Sequence, residues 1–238
     1  MRCGLATTCS KGWEYDSDCY RAGTAGSRLL EPLEPSITAQ DEIKIRIIRV
    51  DICGTDREEV SGGRDQAPDG QKELVIGHEM FGQVVGVGSS VTRVKPGDYA
   101  VFTVRRGCGE CACCMMNRAD MCQTGKYRER GILGLDGYQT EFVVDREQYI
   151  VQVPAELEPV GVLMEPLSVV EKAIDEALRV QTVRCPDAGT IPDWLHGRRC
   201  LVADWGRWAC WRPWCWSCAA AKFMDWTWWM QTPRARNG

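Results

Sequence analysis

Residues 108 to 122 carry five cysteines, and they constrain this chain more than any other stretch of it. Within Cys108-Gly-Glu-Cys111-Ala-Cys113-Cys114 and on to Cys122, four of them read C-x2-C-x2-C-x7-C: Cys108, Cys111, Cys114 and Cys122. Two-residue gaps let one backbone wrap successive thiolates around a tetrahedral ion at ~2.3 Å, and zinc fits that donor set best. Four thiolates leave no open coordination position, so such a site staples a lobe, residues 105–124, and performs no chemistry. The competing reading is a cysteine-rich loop of free buried thiols or disulfides. It needs an oxidising compartment, and the first 30 residues lack the apolar stretch of an export signal. Cys113 has no place in the four-ligand scheme.

The remaining composition narrows the class. No window holds the ~18 to 20 consecutive apolar residues of a membrane span, so the expectation is a cytoplasmic protein with no membrane partner. With 33 acidic against 29 basic residues and a net charge of -4, no nucleic-acid partner is expected, because a phosphate backbone demands a concentrated basic face. In a reducing cytoplasm, 14 cysteines read as metal ligands with spares. A length of 238 residues allows one large domain or two ordinary ones.

Residues 40–180 predict a domain of short strands. Glu42-Ile-Lys-Ile-Arg-Ile-Ile-Arg-Val50 alternates apolar and polar positions, the period of a half-buried strand. Phe81 to Val87, a turn at Gly88-Ser-Ser, and Val94 to Val104 with Pro96-Gly97 as a tight connection continue the pattern. Tyr138 to Val144 and Tyr149 to Val153 add two strands, so a β-barrel or sandwich is expected. From Pro159 to Arg179 the period turns helical, with Val162, Leu163, Leu167, Val170, Ile174 and Leu178 on one side. Gly197 to Ala203 then reads as a buried parallel strand.

A second constellation is looser in spacing and richer in chemistry. It comprises Cys53 in Ile52-Cys-Gly-Thr-Asp56, His78 and Glu79 in Gly77-His-Glu-Met80, and Glu165 in Met164-Glu-Pro-Leu167. Cysteine, histidine and carboxylate are the mixed ligands of a catalytic zinc, which keeps its fourth position for water or substrate. Each also has a plain reading: a core cysteine after a strand, a surface His–Glu pair, and a glutamate favoured by a helix dipole.

These residues carry a resemblance. Gly77-His-Glu-Met-Phe-Gly-Gln-Val-Val-Gly-Val-Gly-Ser-Ser-Val91 followed by Gly97-Asp98 resembles the signature of the zinc-dependent medium-chain alcohol dehydrogenase superfamily. Cys53-Gly-Thr-Asp-Arg57, Arg105-Arg-Gly-Cys108, the Gly125 to Gly137 stretch and Glu165-Pro-Leu-Ser-Val-Val-Glu-Lys172 are similar to its glucose 1-dehydrogenase branch, over about residues 27–203. The resemblance implies a mostly β fold: a GroES-like β-barrel catalytic domain over 27–180, with a structural-zinc lobe, a C-terminal helix, and an α/β Rossmann domain to follow.

It also implies roles. Cys53, His78 and Glu165 hold a catalytic zinc, with Glu79 approaching directly or through water, while Cys108, Cys111, Cys114 and Cys122 hold a structural one. Asp56 orients His78, Thr55 bonds the reacting alcohol, and Glu129 and Glu165 contact the sugar. Val104 and Val169 depart from relatives that carry Asn and Asp at those places. The implied reaction is oxidation of an aldose at C1, glucose to gluconolactone, with hydride passing to NADP or NAD. Intact family members are expected to bind two zinc ions per chain and to be homo-oligomeric. The alternatives are another zinc-dependent polyol or threonine-type alcohol dehydrogenase, or a non-enzymatic zinc-binding module.

A dinucleotide needs a binding motif, and the sequence has no G-x-G-x-x-G. Eight of its ten tryptophans instead lie between Trp205 and Trp229, in a stretch with neither helical nor strand period. Tryptophan is always TGG and cysteine TGY, so this tail back-translates with few ambiguities. Read one base over, with one lost G restored near the Asp204 codon, it becomes Val-Ala-Gly-Leu-Gly-x-Val-Gly-Leu-Leu-Ala, the dinucleotide fingerprint directly after Leu201-Val202. The codons under Lys222 to Asp225 and beyond re-read to an Asp 18 positions after the last glycine, near the ~20 expected for the ribose-binding acid. Residues 181–203 are thus expected to be a linker and first Rossmann strand, and 204–238 a missense tail after a one-base frameshift, with the Rossmann domain lost and the chain inactive as it stands. Residues 15–26 are compatible, one base over, with Met-Thr-x-Thr-Val-Ile-Ala-Pro-Gly-Gln-Pro-Gly, and 1–26 is set apart as a doubtful N-terminal segment.

Overall fold

The strand expected at 42–50 is β3 (Glu42–Asp51), preceded by β1 (Ser17–Arg21) and β2 (Ser27–Leu30). The computed structural model describes residues 34–62 and 66–185 in full, and 17–21, 27–30, 199–202 and 222–225 as backbone strands. Two compact units divide the chain, Met1–Glu165 and Pro166–Gly238. In the first, β3 is the second strand of a five-stranded antiparallel sheet of order β10-β3-β5-β6-β11, with β5 Glu79–Val87, β6 Tyr99–Phe102, β10 Phe142–Arg146 and β11 Ile150–Val153. Ile43 and Ile45 of β3 are fully buried with Phe81, Val84, Ala100 and Ile150. Alternation breaks at Ile47-Ile48, and the register of β3 against β5 shifts between Ile47 and Arg49. That irregularity turns Ile48 outward, 37% exposed, so two adjacent isoleucines share one strand without burying a backbone mismatch.

Three of the boundaries that differ from the sequence expectation have a clear local reason. The run from Val94 narrows to β6 at 99–102, because Lys95-Pro-Gly-Asp98 is a turn in which Asp98 N donates to Lys95 O at 3.1 Å and Gly97 takes a φ of +98°. The strand expected from Tyr138 begins at Phe142, because the backbone of Tyr138 and Gln139 is bonded to Gly77 and Ile76 instead. The helix expected from Pro159 is a 3-10 turn over Ala155–Leu163, and α3 runs Met164–Arg184. Pro159 has no N–H to give and disfavours the α conformation before it. Gly161 lies so close to the Phe81 ring that a Cβ there would sit 2.3 Å from it, which holds the turn tight against β5.

Between β6 and β10 the chain leaves the sheet. β7 (Arg105–Arg106), β8 (Arg128–Arg130) and β9 (Gly134–Leu135) form a small sheet, with the cysteine lobe as the excursion between β7 and β8. β1 and β2 pair antiparallel, and β1 also pairs β4 (Glu73–Val75), so a strand forms within the segment that the sequence sets apart. In the second unit, the sequence expects a parallel strand at 197–203, and β12 (Arg199–Val202) instead pairs antiparallel with β13 (Lys222–Asp225). Parallel pairing needs a crossover helix, and the sequence between these strands has no helical period.

The small sheet is anchored to the large one by charge. Asp145 of β10, 8% exposed, accepts from Arg106 Nη2 at 2.6 Å and from Arg130 Nε at 3.0 Å. The Arg106 guanidinium also lies 3.7 Å from the centre of the Tyr149 ring. Burial pushes the Asp145 carboxyl up, and the two guanidinium groups outweigh it, holding the group below its ordinary 3.8. Asp145→Asn removes the charge that balances buried Arg106 and half-buried Arg130, and is expected to destabilise the protein by about 3 kcal/mol in urea unfolding. The folded value is depressed, so this contribution is present above 3.8 and is lost as pH falls through the lower, folded value; the variant should lack that acid-sensitive component.

Candidate metal centres

Cys53 ends the turn after β3 and caps α1 (Gly54–Val60). Its Sγ accepts from Thr55 N at 3.2 Å, and its own N–H donates to Asp56 Oδ2 at 2.7 Å. This reciprocal cap fixes thiol and carboxylate on one short helix, three positions apart. His78 comes from the other side, immediately before β5. Its Nε2 lies 3.1 Å from Cys53 Sγ, and its Nδ1 lies 3.5 Å from Asp56 Oδ1. The two ring nitrogens thus face different groups, thiol at one and carboxylate at the other.

What aims the ring is the backbone before it. Gly77 takes a φ of +90°, a region a side chain resists. Its carbonyl oxygen lies so near Gly131 and Gly137 that a Cβ on either would sit 2.3 Å from it. Tyr138 N donates to the same oxygen at 2.8 Å. The loop after β8 therefore grips the residue before His78.

The three donors Cys53, Asp56 and His78 lie within 4.8 Å of one another. Glu79 and Glu165 stand outside that group, yet they interact with it electrostatically. Burial and then Glu165 push the Glu79 carboxyl up to about 7, and burial raises Glu165, with Asp56 and Glu129 adding to it. Burial opposes charge on His78, but its contacts with Asp56 and Cys53 prevail and raise it to about 11. Burial and mutual repulsion thus work against charge on these carboxylates, while the thiol and carboxylate contacts favour it on the imidazole. A tetrahedral zinc with ~2.3 Å sulfur and ~2.0 Å nitrogen bonds separates its S and N ligands by roughly 3.5 Å, a small adjustment from the Cys53–His78 contact.

Thr55 is half-buried beside the thiol. Glu129 of β8 pairs with Arg105, which stands opposite it on β7. The sequence places Arg105 in the Arg105-Arg-Gly-Cys108 motif but does not reveal its pairing with Glu129, because cross-strand register leaves no short-range signature.

In the lobe, Cys108, Cys111, Cys114 and Cys122 bring their Sγ atoms within 4.8 Å of one another, while Cys113 is outside the group. Cys111 caps α2 (Ala112–Met115). Cys111 N points to Cys108 Sγ at 3.4 Å and Cys114 N to Cys111 Sγ at 3.5 Å. The Thr124 hydroxyl beside Cys122 holds that thiol down at about 6, favouring the thiolate a metal takes. In tetrahedral zinc coordination the sulfurs stand roughly 3.8 Å apart, within the spread observed.

The fold and both clusters define a class. Residues 39–155 match the model of the alcohol dehydrogenase GroES-like domain family. Among particular relatives, the chain is 43% identical over 141 residues to the glucose 1-dehydrogenase of Methanocella arvoryzae, covering 59% of this chain and 39% of the relative. It is 41% identical to glucose 1-dehydrogenase 2 of Vulcanisaeta moutnovskia, covering 66% of this chain and 43% of the relative. Among solved structures, it is similar to Haloferax mediterranei glucose dehydrogenase in complex with NADP, Zn and gluconolactone, with a TM-score of 0.64 and 34% identity, covering 71% of this chain and 47% of that one. The chain thus spans less than half the length of these relatives.

The grip on Gly77 gives a direct test. Gly137→Ala drives a Cβ into the Gly77 carbonyl and is expected to cost about 1–3 kcal/mol in denaturant unfolding. Gly54→Ala, with nothing within 4 Å of the added Cβ, is expected to change stability by under about 0.5 kcal/mol.

Proposed function

We propose that this chain carries the catalytic domain of a zinc-dependent, NADP- or NAD-linked dehydrogenase that oxidises an aldose at C1, as glucose to gluconolactone. The observation that carries the reading is the Cys53 Sγ to His78 Nε2 approach of 3.1 Å with Asp56 at the opposite ring nitrogen. Cys53, His78 and Glu165, with Glu79 beside them, are the proposed ligands of a catalytic zinc, and Cys108, Cys111, Cys114 and Cys122 those of a structural one. When bound at the first site, zinc supplies the Lewis acidity that lowers an alcohol's pKa.

The chain's own residues do the rest. Asp56 keeps the proton on His78 Nδ1 and so leaves Nε2 as the donor atom. Thr55 sits at the mouth of the helix cap, where its hydroxyl accepts the alcohol proton and passes it outward. Glu129 and Glu165 accept hydrogen bonds from the sugar's other hydroxyls and fix which carbon faces the hydride acceptor. The proposed partner is a neutral sugar, and the proposed compartment a reducing cytoplasm in which the thiols stay free for metal. The proposed catalytic domain is residues 27–180, and residues 181–203 lead toward a dinucleotide-binding domain.

Residues 204–238 lie mostly outside the described residues, and we read them as a missense tail. Sequencing the coding DNA through the Asp204 codon is expected to reveal, one frame over, a Gly-x-Gly-x-x-Gly continuation. Absence of any such frame overturns this part. The chain as it stands should give no NADP-dependent glucose oxidation, whereas the chain carrying the restored continuation should.

Metal content tests the centres independently of activity. The purified chain is expected to bind two zinc ions, and Cys53→Ser or Cys111→Ser one each, with only Cys111→Ser lowering the melting temperature markedly. A zinc content unmoved by Cys53→Ser would remove the catalytic site.

A further inference from the structure

We propose that Arg105 is a positioning residue for sugar recognition: it pins one oxygen of Glu129 and so presents the other to a hydroxyl of a neutral polyhydroxylated substrate. The proposal rests on reading the Cys53–His78 centre as an alcohol-oxidising one.

Arg105 and Glu129 are directly opposed in the antiparallel β7–β8 pair. Arg105 Nε donates to Glu129 Oε1 at 2.9 Å, and Nη2 donates to the same oxygen. A guanidinium fork usually takes both oxygens of a carboxylate. Here both donors converge on Oε1, and Oε2 accepts no hydrogen bond among the described residues. The guanidinium is braced from its face, 4.6 Å from the centre of the Tyr127 ring. Glu129 is well screened from solvent, its side chain 13% exposed, and it stands two residues before Gly131, whose backbone lies against the Gly77 carbonyl that precedes His78.

A carboxylate oxygen held still, half-dry and unpartnered is an acceptor for a hydroxyl donor. The positive charge of Arg105 is committed to Glu129. A neutral polyol offers hydroxyl donors to the acceptor that Glu129 presents. Arg105 therefore touches no reacting atom; it sets where Glu129 Oε2 stands.

The test uses the full chain with cobalt(II) in place of zinc, reading paramagnetic relaxation of ligand protons by NMR, with glucose and methanol as probes. Glucose should be relaxed by the wild-type chain; no relaxation overturns the alcohol-oxidising reading and this proposal with it. Arg105→Leu should weaken glucose binding ~10-fold, the worth of one hydrogen bond to a charged group, and leave methanol relaxation and the cobalt visible spectrum unchanged. Glu129→Gln should cost a similar factor, and the double variant no more than either single, because both act through one oxygen. If Arg105→Leu does not fold, Arg105→Lys decides, since lysine keeps the charge but not the fork and should weaken glucose alone, by a smaller factor. Additive losses, a changed cobalt spectrum, or equal weakening of methanol would each overturn the proposal.

Discussion

The site depends on one backbone crossing. Gly77, at a φ of +90°, brings its carbonyl oxygen against Gly131 and Gly137, where no side chain on either could be accommodated. His78 is the next residue, so the direction of its ring is set by this contact rather than by the ring's own bonds. The loop that makes the contact returns from β8, the strand bearing Glu129, and β8 is joined through β7 to the four-cysteine lobe. A metal closing that lobe would shorten the free excursion between β7 and β8, and the benefit would be felt at His78.

Two buried clusters of charge meet the same difficulty in different ways. Asp145 is answered inside the protein by Arg106 and Arg130, and its carboxyl is held below its ordinary value. Glu79 and Glu165 are both pushed upward, chiefly by burial, with Glu165 also raising Glu79 and His78 opposing the shift in each. One cluster keeps its carboxylate charged through two guanidinium groups; in the other, burial works against charge on the acids.

The legible part of the sequence was the part written in short-range spacing. The four thiols of the lobe meet within 4.8 Å, as C-x2-C-x2-C-x7-C requires, and the alternation of Glu42 to Val50 became β3 almost residue for residue. Less legible were contacts set by tertiary approach. The start of α3 moved to Met164 because Pro159 and the Phe81–Gly161 contact tighten the preceding turn. Asp56, read as a partner of His78, lies within the same tight group as Cys53, while Glu165 is linked to it through charge. Arg105 stands in a legible motif, Arg105-Arg-Gly-Cys108, but nothing local says which residue of β8 it will oppose.

The approach to β7 is fixed from the backbone outward. Val104 gives its carbonyl to Arg130 N at 3.0 Å, which ties the residue before β7 to the end of β8. A carboxylate can direct a hydrogen bond only if it is itself fixed. Glu129 is fixed through the Arg105 fork, whose guanidinium lies over the Tyr127 ring, so its rigidity comes from an ion pair across the β7–β8 ladder.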